Sequence, residues 1–197
     1  MSATQPIRNK KKLQDFKRFY LTQNNGRHPA DTDLRNYTLT MLGLNTALRI
    51  SDILHLTWTD VFNGKKVKSH IVVREQKTGK ENRILLNAEL RRILEEYYRR
   101  CHRKKDSPYL FPSPRKAGAP LSRFQAYRII RRAAKEQGLE HISCHSLRKT
   151  FGYHAWKQGT QPALLMSIFN HSSWAVTTRY LGIAQDEKDQ VYARIAL

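Results

Sequence analysis

Between Lys10 and Gln23, Leu13, Phe16 and Tyr20 recur at helical spacing with lysines and arginines opposite, which predicts an amphipathic helix. The residues before Asn9 read as a loose basic lead, and Asn24-Asn25-Gly26 reads as the stop. Asp31 or Thr32 is placed to cap a second helix carrying Leu34, Tyr37, Met41, Leu42 and Leu44. A bend is expected near Ala47, then a short helix through Ile50, Ile53 and Leu54.

The period then changes to two. Thr57–Val61, His70–Arg74 and Asn82–Leu86 read as short strands, and Glu75 to Lys80, with its glycine, fits a hairpin tip. Asn87 is placed to cap a helix from Ala88 to about Arg103, with Leu90, Ile93, Leu94 and Tyr97 on one face. Pro108, Pro112, Pro114 and Pro120 mark an irregular surface stretch. Ser122 opens a helix through Tyr127, Ile130 and Ala134, closed by Gly138. Helical pieces follow at His145–Trp156, Pro162–Phe169 and Ala175 to about Leu181, and then an amphipathic tail, Asp186–Leu197, with Val191, Tyr192 and Ile195 apolar. No internal repeat is visible. The predicted class is mainly α with a small antiparallel three-stranded sheet.

At 197 residues and 40% apolar, the chain has enough material for one solid domain, or one domain with a small appendage. Composition changes the picture through charge. Lys plus Arg is 36 against 16 Asp plus Glu, a net +20. Such an excess repels itself and calls for a polyanionic partner, for which nucleic acid is the obvious candidate. A ribosomal or RNA-binding role, or a merely basic surface, fits the same number. Cys101 and Cys144 lack the paired spacing of a structural zinc site and suggest a reducing compartment. No apolar stretch approaches the roughly 18 residues of a membrane span. The basic start is followed by no apolar run of a secretory signal. The expectation is a cytoplasmic protein acting at the chromosome, with no membrane partner.

The last quarter adds chemistry. His145-Ser146-Leu147-Arg148 is followed by His171-Ser172-Ser173 and then by Thr178-Arg179-Tyr180. A tyrosine among cations is suited to attack a phosphate without a metal, because the cations hold the anion and favour the phenolate. The histidines could instead be metal ligands, but no acidic cluster or cysteine pair accompanies them. Upstream lie Ala47-Leu48-Arg49-Ile50-Ser51-Asp52 and Gln76-Lys77-Thr78-Gly79-Lys80. In this order and spacing, from about Asp31 to Gly182, these segments resemble the arginine box, lysine hairpin, His-x-x-Arg box and nucleophile box of the tyrosine recombinases, the phage integrase family.

The chemistry assigns roles to these residues. Arg49 and Arg148 are the guanidinium pair on the non-bridging oxygens, since a guanidinium stays charged and matches phosphate in a fork. Arg49 lies in an apolar stretch where an unpaired charge is costly. Lys77 is the general acid for the leaving 5′ oxygen, preferred over Lys80 because the family pattern places its lysine before Thr-Gly. His145 and His171 hydrogen-bond the phosphate, and His145 also takes the proton of Tyr180, the nucleophile. Asp52 is a supporting carboxylate that orients Arg49 or a histidine. Tyr192 is the rival tyrosine, but its setting with Val191 and Ile195 reads as a buried helix face. The resemblance implies a 3′-phosphotyrosine intermediate that conserves the bond energy, so no cofactor is expected.

Two departures from the family stand out. Phe169-Asn170-His171 replaces the usual Leu-Gly-His, which puts the turn before His171 in question. Larger members also carry an N-terminal DNA-clamping domain, where this chain has about thirty residues ahead of the pattern. A naturally minimal recombinase, like the short fimbrial-switch inverting enzymes, is expected; an excised catalytic fragment is the alternative. The expected organisation is a basic lead and short helix at 1–28, a catalytic domain at 29–182, and a helical tail at 183–197 that docks in cis or on a partner. The partners implied are double-stranded DNA and a homotetramer. A type IB topoisomerase-like enzyme and a non-catalytic DNA-binding regulator are the competing readings.

Overall fold

The computed structural model describes residues 4–23, 28–101 and 107–195. Helix α1 (Lys10–Arg18) is capped by the Asn9 side chain, which accepts from Lys12 N at 2.9 Å, and runs into a 3-10 turn, Phe19–Leu21. Phe16, Phe19 and Tyr20 enter the core, as their spacing predicts. The suggested stop at 24–26 lies outside the described residues. The lead before Asn9 is not loose where it is described. Ile7 is buried, its N–H donates to Thr150 Oγ1 at 2.9 Å, and Gln5 N–H donates to His141 O at 3.0 Å. One apolar side chain and two long-range hydrogen bonds are enough to pin a five-residue strap.

Helix α2 (Asp31–Thr46) is buried nearly all round and packs on α5 and α7. Neither Asp31 nor Thr32 caps it: Ala30 is the cap residue and makes no side-chain bond. Asp31 and Asp33 instead lie in the first turn, where carboxylates suit the helix dipole, and Asp31 accepts from Arg100 at 3.0 Å. Thr38 and Thr40 satisfy their buried hydroxyls on the carbonyls of Leu34 and Asn36. The helix ends at Ala47, which adopts the left-handed region (φ 53°), and α3 (Ile50–Leu54) follows.

The segment predicted as a first strand is the one-turn helix α4 (Trp58–Val61). Thr57 and Asp60 form a capping box, Asp60 N–H donating to Thr57 Oγ1 at 3.2 Å and Thr57 N–H to Asp60 Oδ2 at 2.7 Å. This local bonding overrides the alternating pattern. A minimal hairpin, β1 (Phe62–Asn63) with β2 (Lys66–Val67), comes next. Strand β3 (His70–Arg74) then pairs antiparallel with β4 (Glu81–Leu85), His70 opposite Leu85 and Arg74 opposite Glu81. Two two-stranded sheets therefore stand where one of three strands was expected.

Helix α5 (Ala88–Cys101) starts with Leu90 N–H donating to Asn87 Oδ1 at 2.8 Å; its expected end near Arg103 lies outside the described residues. The proline-rich stretch is not simply surface. Leu110 and Phe111 are fully buried, and Leu110 O accepts from Tyr97 Oη at 2.8 Å. Helix α6 (Arg123–Glu136) has the expected Ser122 cap, completed by Gln125. Helices α7 (Cys144–Lys157), α8 (Pro162–Phe169), α9 (Trp174–Leu181) and α10 (Ala184–Arg194) close the fold. A main core spans residues from Ile7 to Leu147, and a smaller one joins Ala47, Tyr153, Leu165, Phe169, Leu181 and Ile183. Helix α10 buries none of its residues, and Tyr192 is 76% exposed, so the reading of its apolar side as a buried face is wrong within this chain. No helix of the described residues is long and apolar enough to cross a membrane.

Candidate active site

Where α7 runs between the two cores, a cavity of about 200 Å³ collects side chains from five separate segments. Its walls include Arg49 at the start of α3, Lys77 from the β3–β4 tip, His145 and Arg148 from the first turns of α7, His171 from the α8–α9 turn, and Tyr180 near the end of α9. The six residues singled out from sequence thus share one cavity; Lys80, the alternative on the same tip, does not line it.

The arginines are fixed differently. Arg148 is buried, and its Nη1 donates to the carbonyl of Ala47 while Nη2 donates to Phe169 O at 3.1 Å. The guanidinium also lies 4.7 Å from the centre of the Phe169 ring. The left-handed turn at Ala47 therefore serves a purpose: it delivers a backbone oxygen from the first arginine segment to the arginine of the second. Arg49 is partly open, with 21% of its side chain exposed, and its Nη1 pairs with Glu75 Oε2 at 2.5 Å.

His171 is placed by a turn that the sequence left in question. Asn170 occupies the left-handed position (φ 54°, ψ 44°) that closes α8, and His171 N–H donates back to Met166 O at 3.0 Å. Asparagine is among the side chains best tolerated there, so it replaces the family's glycine without loss of the turn. The His171 Nδ1 lies 3.0 Å from Thr177 Oγ1, and its ring packs edge-to-face on Tyr180 at 5.2 Å. Tyr180 is flanked also by Phe169 and by the ammonium of Lys149, 5.2 Å from the ring centre.

These surroundings set the protonation states. Burial lowers the pKa of His145, and Lys149, Arg148, Arg49 and Lys77 press it the same way. Burial, then Arg148 and Arg49, lower that of His171. Both rings are therefore neutral at pH 7. Burial raises the pKa of Tyr180 above that of a free phenol, with Arg148 and Arg49 pulling against it. The neighbouring Cys144 thiol is pushed up to about 12 by burial and stays protonated. Among the described residues, no three His, Cys, Asp or Glu side chains gather closely enough to hold a metal ion.

Asp52 is not where its expected role would put it. It is buried, but its Oδ1 accepts from the backbone N–H of Gln76 at 3.0 Å, and among the described residues its carboxylate bonds neither Arg49 nor a histidine. The carboxylate on Arg49 is that of Glu75, which sequence reasoning passed over. Its signal was the strand period: Ile71, Val73 and Glu75 alternate inward, and an acid at an inward position needs a partner. Lys149 was also passed over. It lies four residues after His145, on the same face of α7, and donates to Thr4 O at 2.8 Å.

Comparison with known proteins places the chain among relatives. Residues 14–187 match the model of the phage integrase family. The protein described as probable integrase/recombinase YoeC of Bacillus subtilis (strain 168) is 43% identical over 192 residues, covering 98% of this chain and 97% of its own. The fold is similar to the crystal structure of XerA recombinase, with a TM-score of 0.73, 22% identity and coverage of 97% of this chain. It is also similar to XerH site-specific recombinase bound to a palindromic difH substrate, with a TM-score of 0.69, 19% identity and 87% of this chain covered. The chain spans 65% and 48% of the lengths of those two solved chains.

Proposed function

The chain belongs to the phage integrase family, the tyrosine recombinases, and on that premise we propose that it is a site-specific recombinase cutting and rejoining double-stranded DNA through Tyr180. The observation that carries this reading is the convergence of one phenol, two guanidinium groups, two imidazoles and one ammonium on a single cavity. In the step proposed, Tyr180 Oη attacks phosphorus and its proton passes to the neutral His145. The P–O5′ bond breaks, and Lys77 protonates the departing 5′ oxygen. Arg49 and Arg148 take up the negative charge on the non-bridging oxygens. A phosphate needs a donor from His171 Nε2, which requires the Thr177 hydroxyl to turn its one proton from Ser173 O, 3.3 Å away, to His171 Nδ1 at 3.0 Å. The product is a 3′-phosphotyrosine and a free 5′ hydroxyl, and reversal on a second duplex reseals the strand.

The body at 29–182 is read as the catalytic unit and 183–197 as a tail that docks on a neighbouring protomer within a tetramer on DNA. In support of that reading, α10 buries no residue of its own chain. Nicked duplexes tiled across the DNA flanking the coding sequence test the chemistry. The wild type is expected to form a denaturant-resistant protein–DNA adduct and Tyr180→Phe none. Wild-type protein that binds these duplexes without forming an adduct would favour a DNA-binding regulator. Relaxation of supercoils without strand exchange between two sites would favour a topoisomerase.

A further inference from the structure

Glu75 belongs to none of the roles above, yet its side chain is fully buried at the junction of three site segments. Its Oε2 is approached by three donors: Arg49 Nη1, Thr78 Oγ1 at 2.8 Å and Asn170 Nδ2 at 3.3 Å. Arg49 caps the start of α3, Thr78 belongs to the tip that carries Lys77, and Asn170 is the turn residue before His171. The backbone of Glu75 closes the same tip, its N–H donating to Lys80 O at 2.9 Å and its O accepting from Gly79 at 2.8 Å. Asp52 clamps the next residue by accepting from Gln76 N–H. The other carboxylate oxygen, Oε1, is buried and has no hydrogen-bond partner among the described residues. An ordinary core does not retain such an acceptor, and would not crowd three donors on its twin.

Resting on the recombinase reading, we infer that Glu75 is a positioning residue for cleavage, whose carboxylate aims Arg49 at the phosphate and joins it to the Lys77 tip and the His171 turn. A guanidinium offers five N–H donors in a rigid fork. Committing Nη1 to Glu75 fixes the plane of the fork and leaves the remaining edge for a phosphate oxygen. Arg148 needs no such carboxylate, because two backbone carbonyls hold it. Among the described residues, the Arg49 guanidinium is held by Glu75 alone. Burial favours the protonated acid, but the hydrogen bonds from Thr78 and Arg49, together with the charges of Arg49 and Arg148, outweigh it and hold the Glu75 pKa below the ordinary carboxylate value.

This role has a signature that a structural one lacks. Glu75→Gln keeps the shape and removes a negative charge beside the phosphate site. DNA affinity should hold or rise while single-turnover cleavage of a nicked duplex slows by about 10- to 100-fold, within the range of coupled neighbours. In an Arg49→Lys background, the same change should cost less than about 3-fold, because the two act as one unit. Full-rate cleavage by Glu75→Gln, losses that multiply in the double variant, or parallel loss of affinity and rate would each overturn the inference. Should Glu75→Gln fail to fold, Asn170→Gly decides: it keeps the left-handed turn and deletes one donor, and slowed cleavage with unchanged affinity is expected, against unchanged cleavage if the idea is wrong. Side-chain ¹⁵N spectra of DNA-free protein separate this from the recombinase reading itself. Arg49 Nη protons should be resolved in the wild type and averaged by rotation in Glu75→Gln; equal order in both sinks the inference even if no adduct ever forms.

Discussion

His145 carries its proposed duty because of what surrounds it. It lies exposed on the first turn of α7, and the charges that act on it come from Lys149, Arg148, Arg49 and Lys77, all cations. All of these, after burial, disfavour the imidazolium, so the folded-state pKa lies below the ordinary ~6.5. A base must be neutral to accept the Tyr180 proton, and the raised pKa of Tyr180 keeps that proton on the phenol until the base takes it. The rate at subsaturating DNA, which reports the free enzyme, should therefore rise with pH along one limb centred below about 6.5 and then level off. His145→Gln should abolish the limb, and a limb centred above 6.5 would contradict the assignment. Lys77 has a different signature. Lys77→Ala should slow cleavage by about 10²- to 10⁴-fold on ordinary DNA. It should recover on a 5′-bridging phosphorothiolate, whose sulfur leaves without a proton; Lys80→Ala should behave as wild type on both. The side chains that share the cavity were legible because their chemistry is tied to residue type and spacing. Glu75 was not, because a carboxylate that serves another side chain announces itself only through its inward position one residue past β3, in step with Ile71 and Val73, and Asp52 competed for the same expectation.

At the scale of elements, the site depends on how closely α7 is approached from both sides. At Gly43 of α2 an added Cβ would stand 2.4 Å from Leu147 Cδ1. At Gly152 it would stand 2.6 Å from Leu181 Cδ2 and from Phe169 Cζ. Those last two side chains seat α9 and α8 against α7, and Leu181 adjoins Tyr180. Gly152→Ala should gain a little helix propensity but force overpacking worth about 1–3 kcal/mol, for a net Tm drop of roughly 2–10 °C. Because the displaced atoms carry the nucleophile helix, adduct formation at 25 °C should fall while most of the protein remains folded. Calorimetry alongside the suicide-substrate assay would check this, and a destabilised protein with full cleavage would show that α9 adjusts freely. Helices α5 and α6, with strong periods, and α8, opened by Pro162, were readable to within a residue or two at the described ends. The misreading at 57–61 came from length: the five residues Thr-Trp-Thr-Asp-Val are too few to fix a period, and the Thr57–Asp60 capping box closes a helical turn there. The buried strap at Leu110–Phe111 was hidden by prolines, which mark irregular backbone but say nothing of depth.

The molecule as a whole has two ends that touch. Arg8 from the N-terminal strap donates to both carboxylate oxygens of Asp186 at the start of α10, at 3.0 and 3.1 Å, and to Gly182 O at 2.6 Å, just after the nucleophile helix. Both partners of the ion pair are substantially exposed, so it contributes at most about 1 kcal/mol and weakens with salt. Beyond it, α10 is held by little: Val191, Tyr192 and Ile195 are more than half exposed, and no residue of the helix is buried. An apolar stripe on a weakly tethered helix suits exchange onto a neighbour, and a head-to-tail exchange closes into a ring when repeated. Removing residues 186–197 while retaining the buried Ile183 should therefore lower Tm by no more than about 4 °C, since only the exposed pair is lost. The same truncation should shift complexes on DNA from tetramers to monomers and dimers in sedimentation, with DNA affinity per protomer kept, because the removed tail holds Asp186, Glu187 and Asp189 against only Lys188 and Arg194 and so takes none of the basic excess with it. Loss of the folded state on truncation would mean that the tail packs in cis after all. The wild type supplies the control: its affinity should fall steeply as salt rises, with a log–log slope of about −0.9 for each phosphate neutralised. A charge of this size has no other means of acting at a distance.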